Sequence, residues 1–129
     1  MATIDKSSVF ATRPSGTKGL DSLTDGDGSL WAEYSNGVDS TGAGGGSSTI
    51  VQYILAGKIE HSYSIKGPVD GLKIDPSTGL IWALQNQDGN PTLSLINPVT
   101  HGISGPITYT RPARAGAMMM SRSATALFI

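Results

Sequence analysis

Four stretches of the chain carry residue types that can do chemistry, and each can be weighed by its spacing. "DGDGS" at 25–29 sets Asp25, Asp27 and Ser29 at alternate positions, as a calcium loop presents its oxygen ligands. Such a loop also needs Gly at its sixth position and Glu at its twelfth, and here those are Leu30 and Asn36. A hairpin turn explains the stretch better. "GAGGGSS" at 42–48 is glycine-rich, but no Gly-Lys-Ser/Thr is present and a strand-forming run follows, so it reads as a flexible loop and not a phosphate cradle. His61 and His101 lack the close spacing of paired metal ligands and are expected at surface or hairpin positions. No Gly-x-Ser-x-Gly elbow anchors a nucleophilic serine. No catalytic residue, metal set or cofactor is assigned.

The fourth feature is a pair of polar loops, "YSNGVDSTG" at 34–42 and "QNQDGN" at 85–90. Asn36, Asp39, Asn86, Gln87, Asp88 and Asn90 are the candidate ligand-binding residues, suited to a polar ligand, a sugar or a cation. The competing explanation is conformational, because Asn, Asp and Gly favour turns in their own right.

These loops occupy matching places in two similar segments. Aligning Asp21 with Asp70 sets Leu23 on Leu72, and Leu30-Trp31-Ala32 on Ile81-Trp82-Ala83. Further on, "STIVQYILAGKI" (48–59) aligns with "PTLSLINPVTHGI" (91–103), and "SYSI" (62–65) with "PITY" (106–109). The offset runs from 43 to 51 residues, a period typical of repeat architectures, and four short strands per period suit a β-propeller blade. The expected strands in the first segment are 20–24, 29–35, 49–55 and 59–65. In the second they are 69–74, 80–85, 92–96 and 107–110. "DGDG" at 25–28 and "DPSTG" at 75–79 supply turns between the first two strands. "LAGK" at 55–58 and "NPVTHG" at 97–102 close the hairpins between the last two.

"LIWAL" at 80–84 is apolar on both faces, so the strand it forms expects cover on both sides. Trp31 and Trp82 are then expected to pack between neighbouring sheets rather than stack on a ligand. The expected organisation is an N-terminal segment or last strand of a preceding blade (1–19), one blade (20–66), a second blade (67–110) and an irregular tail (111–129). Two blades would leave an uncovered sheet face at each end, where roughly four to eight close a ring, so self-association is expected.

The chain has 129 residues, 38% of them hydrophobic and 15% charged, with 17 glycines and 7 prolines, which favours a turn-rich all-β domain. A net charge of −1 gives no electrostatic case for nucleic acid. With no cysteine, disulfides and thiolate metal sites are excluded and the redox compartment is not indicated. No stretch approaches the ~20 apolar residues of a membrane span, and no signal peptide is seen at the N-terminus, so the compartment stays open.

The tail, "RPARAGAMMMSRSATALFI", matches neither segment. One explanation is a C-terminal extension with a short helix or a frayed end. Another is a shifted reading frame. Met118–Met120 must be encoded ATGATGATG, and one of the shifted frames reads Asp-Asp, which can open a third copy of the motif beginning at Asp70.

On "VDGLKIDPSTGLIWAL" and the weaker "LDSLTDGDGSLWAEY", the chain resembles the bacterial propeller-repeat proteins of the NHL, YVTN and streptogramin-lyase-like kind over about residues 20–110. The resemblance implies an all-β fold of two four-stranded antiparallel blades, as in a fragment of a larger propeller. The resemblance is specific for architecture and unspecific for activity, because the fold hosts enzymes, binders and scaffolds alike; the favoured expectation is a non-catalytic propeller fragment serving as a binding or interaction scaffold. The alternative is a fragment of a propeller enzyme of the lyase or lactonase type, with an active centre assembled from several blades.

Overall fold

The computed structural model describes residues 9–39, 43–86 and 90–108. They form eight strands: β1 (Leu20–Gly26), β2 (Ser29–Tyr34), β3 (Ser47–Ile54), β4 (Ile59–Lys66), β5 (Val69–Ile74), β6 (Ile81–Gln85), β7 (Thr92–Ile96) and β8 (Ile103–Thr108). The strands make two four-stranded antiparallel sheets, β1-β2-β3-β4 and β5-β6-β7-β8, each a simple meander. Among the described residues no helix is long and apolar enough to cross a membrane.

The turns follow the local chemistry. Asp27 and Gly28 both take positive φ (50° and 78°), which closes a two-residue hairpin between Gly26 and Ser29. In the longer turn, Asp75 accepts from the Ser77 amide at 3.0 Å and the Ser77 hydroxyl at 2.7 Å. These two bonds hold the Asp75 carboxyl below its ordinary range. Gly79, at φ 75°, donates its N–H back to the Asp75 carbonyl at 2.7 Å. In the β7–β8 turn the Asn97 side chain accepts from the amides of Val99 and Thr100.

The first two strands of the sheets pair in the same way. Leu20 faces Tyr34, an irregularity falls at Asp21, then Ser22 faces Glu33 and Thr24 faces Trp31. In the second sheet Val69 faces Gln85, the irregularity falls at Asp70, then Gly71 faces Leu84 and Lys73 faces Trp82. The β8 strand starts at Ile103, four residues before the expected 107, because Ile96 pairs with Ile103 directly across the turn. Residues 109–110 of that expectation, and the 111–129 tail, lie outside the described residues.

The sheets stack face to face along a seam. The first sheet contributes Trp31, Ile50, Tyr63 and Ile65; the second contributes Val69, Leu72, Ile81, Ala83 and Ile96. Trp31 is 1% exposed and its ring stacks on Tyr63 at 5.7 Å and 27°. Each such fully buried large side chain contributes about 1.5–3 kcal/mol.

The two tryptophans do not share this seam. Trp31 points into it, whereas Trp82 lies on the face of its sheet turned away from it, in a separate cluster with Leu84 and Leu93. The first sheet thus meets the second with its tryptophan face, and the second answers with the face opposite its own tryptophan. The outer face of the first sheet buries Ala32, Tyr34, Val51 and Tyr53, with Ala11 packed against it and Phe10 edge-on to Tyr53 at 6.1 Å. Tyr34 and Tyr53 share a hydroxyl–hydroxyl bond of 3.0 Å. Burial, then that bond, raises the Tyr53 phenol well above its ordinary value. Both outer faces therefore have buried apolar residues. Both faces of β6 are covered, as its sequence requires.

Replacing Trp31 by Ala empties the centre of the seam and is expected to cost about 3–5 kcal/mol, while Val99→Ala, at an exposed turn residue, changes stability little. Urea unfolding of the two variants beside wild type checks this; equal midpoints would mean the sheets do not pack through Trp31.

Candidate functional site: a cleft at one end of the seam

The sheets are joined by a two-residue link, Gly67-Pro68. Gly67 has φ 85° and donates to the Gly46 carbonyl at 2.9 Å. A Cβ at Gly67 would come within 3.0 Å of Asn86 Oδ1, so glycine is needed for both conformation and space. Beside this link the seam opens into a cleft of about 500 Å³ between the end of β4 and the strands β6–β8.

The cleft sets polar groups into a lining that is apolar over most of its area, because the seam face of the second sheet changes character along its length. Ile81 and Ala83 on β6 are followed by Gln85, and Thr92 and Ser94 on β7 precede Ile96. Gln85 spans the seam: its Nε2 donates to the Lys66 carbonyl at 2.8 Å, and its Oε1 accepts from the Ser94 hydroxyl. Asn86, at φ 53°, donates its N–H to the Pro68 carbonyl at 3.2 Å. Among the described residues, two buried oxygens in the cleft lining, Asn86 Oδ1 and Thr92 Oγ1, have no hydrogen-bond partner. Asn90 and Ser64 add a further amide and hydroxyl, and among the described residues of the lining Lys66 carries the one ionisable side chain. Among the described residues this lining offers several donors and acceptors set in apolar surroundings.

Of the candidate residues, Asn86 and Asn90 come together in this cleft. Asn36 and Asp39 do not line it. Asn36 instead locks the chain between β2 and β3: at φ 57°, its Oδ1 accepts from the Lys18 amide at 3.1 Å. Its Nδ2 donates to the Ser47 carbonyl and to Thr49 Oγ1, both at 3.0 Å. Asp39 is exposed. Gln87 and Asp88 lie outside the described residues. Gln85, Thr92 and Ser94 were not among the expected site residues; their signal is polar residues at alternate positions on a face otherwise apolar.

At the other end of the seam a smaller cleft of about 320 Å³ has Asp27, Gln52, Glu60 and the edge of Trp31 in its lining. Gln52 Nε2 donates to Ser29 Oγ at 3.1 Å. Here the two histidines meet, though they come from different sheets: their rings stack at 3.9 Å and 16°. His101 Nδ1 lies 2.9 Å from the Tyr63 hydroxyl, whose pKa burial raises, with Glu60 adding to the effect. His101 sits in the β7–β8 hairpin as expected, whereas His61 is half-buried on β4, and their contact was not foreseen. Among the described residues no group of three or more His, Cys, Asp or Glu could hold a metal ion.

Comparison of the chain with protein-family models, with curated proteins and with solved structures finds no match.

Asn36→Ala, which removes three hydrogen bonds and puts Ala at positive φ, is expected to cost about 1–3 kcal/mol. Asn36→Gly should cost less than Ala because it keeps the backbone relaxed. Chemical denaturation of both variants tests this, and an Ala variant as stable as wild type would return Asn36 to the list of ligand residues.

Proposed function

We propose that this chain is a pair of propeller-type blades acting as a non-catalytic binding scaffold, and that the cleft beside Gly67 receives its ligand. The observation that carries the blade reading is the agreement of the two sheets in strand order and in the β1–β2 and β5–β6 registers, down to the irregularities at Asp21 and Asp70. The order of the faces across the seam supports it too. In a blade array each sheet offers one kind of face forward and the other kind backward, as these two do.

The binding reading rests on the cleft lining. Carboxamides from Gln85, Asn86 and Asn90 and hydroxyls from Ser64, Thr92 and Ser94 surround a volume fit for a small molecule. Lys66 makes a cation an unfavourable occupant. The ligand class that fits is an uncharged molecule with several hydroxyl or amide groups, of sugar size. Such a ligand would satisfy Thr92 Oγ1 and Asn86 Oδ1, whose burial without partners is otherwise a cost of about 1–3 kcal/mol each. A lyase or lactonase centre, the alternative, calls for converging acids, bases or metal ligands, and the cleft presents amides and hydroxyls instead.

The test is a titration of the ¹⁵N-labelled full chain with neutral mono- and disaccharides and simple polyols, read by amide shifts. Saturable shifts at the side-chain amides of Gln85, Asn86 and Asn90, weakened at least about fivefold by Ser94→Ala or Asn90→Ala, are expected. Absence of shifts at these residues up to tens of millimolar would overturn the cleft as the seat of such a ligand.

A further inference from the structure

Glu33 is the most anomalous residue of the seam. It lies on the β2 face that carries Trp31, is paired with Ser22 on β1 and Ile50 on β3, and is 0% exposed. Among the described residues neither of its carboxyl oxygens has a hydrogen-bond partner. Its counterpart in the second sheet is Leu84, equally buried. An ionised carboxylate in such a place loses its hydration, and the Ser48 hydroxyl offsets only part of that loss.

The groups around it make ionisation harder. Asp21 on β1 and Asp70 on β5 both act on it with negative charge. The nearby hydroxyl on β3, Ser48, gives its proton to the Gly67 carbonyl at 2.8 Å. On the same face β4 presents Tyr63, whose raised phenol stays neutral, and Ile65. Among the described residues no cation acts on Glu33.

We propose that Glu33 is a protonation switch built into the seam: the two sheets close tightly on the neutral carboxylic acid and loosen when it gives up its proton. The route of loosening is given by the hydrogen bonds. A charged Glu33 competes for the Ser48 proton that now ties β3 to Gly67, and it repels Asp70 across the seam. Because Gly67 also lines the cleft, the same event reaches the cleft wall, but the switch does not depend on what the cleft binds.

Burial, first, and Asp21, second, raise the Glu33 carboxyl from an ordinary 4.5 to about 8, with Asp70 adding and Ser48 alone pulling down. The folded state then holds a proton that the unfolded chain releases, so stability is greatest below about 4.5, falls as pH rises and levels off above about 8. Within that window the folding constant falls by up to about tenfold per pH unit. The Asp75 effect has the opposite sign and acts in acid: its stabilisation is present above its ordinary pKa and is lost as pH falls through its lowered one.

The experiment follows the Glu33 side-chain carbon by ¹³C NMR between pH 4 and 9.5, with urea unfolding of wild type, Glu33→Gln and Glu33→Leu over the same range. Expected are a Glu33 midpoint well above 6, a wild-type stability that falls between pH 5 and 8, and flat profiles in both variants. Leu, borrowed from the equivalent place in the other sheet, should also be the more stable at pH 8. Amide exchange in β2 and β5, corrected for intrinsic base catalysis, should speed up with pH in wild type only. A Glu33 midpoint near 4.5, or a wild-type pH profile shared by both variants, would overturn the proposal. If Gln fails to fold, the Leu variant and the wild-type carbon titration still decide it.

Discussion

Everything in this fold depends on sheets that are apolar on both sides. A half-buried sheet can end its packing with one partner, but β6 buries Ile81 and Ala83 one way and Trp82 and Leu84 the other. Neither sheet can satisfy itself alone, and the seam through Trp31, Tyr63, Leu72 and Ile81 answers half of that demand for each. The turns, the link at Gly67 and the packing of Phe10 and Ala11 on the first sheet fit around this requirement.

The seam is not uniform along its length, and its two ends acquire different chemistry. Its middle is hydrocarbon and aromatic ring. At the Gly67 end the second sheet substitutes Gln85, Thr92 and Ser94 for apolar residues, and the gap becomes a place for hydrogen bonds. At the opposite end acids, an amide and the stacked histidines gather around Trp31 and Tyr63. Glu33 is the exception to this division: an acid placed where the other sheet has leucine, held in dry surroundings near the point where the two sheets are joined.

Much of the strand framework was legible because it rests on local rules. β5 and β7 fall where expected, since "DPSTG" and "NPVTHG" fix the chain by side-chain-to-backbone bonds within a few residues. β8 was misjudged because its pairing is set by Ile96 opposite Ile103 and not by its own sequence, which contains Gly105 and Pro106. The roles of Asn36 and Asn86 illustrate the harder limit. Both take positive φ, as their type suggests, yet one spends its side chain on a backbone lock and the other borders the cleft. That difference comes from what the neighbouring loop and sheet bring against them, and spacing alone does not encode it. Nor does it encode which face of a two-sided strand meets which partner, and so the divergence of Trp31 and Trp82 and the meeting of His61 with His101 appear only in three dimensions.

The mating of unlike faces gives the stack a direction. No two-fold axis relates the first sheet to the second, because a two-fold would bring like faces together, tryptophan face on tryptophan face. The operation that carries one sheet onto the next is a step, and a step applied again leads onward, to a ring if the rotation closes and to an open helix if it does not. Any additional copy or sheet that joins by this same packing must obey that handed sequence, so a symmetrical dimer would have to be built from some other surface.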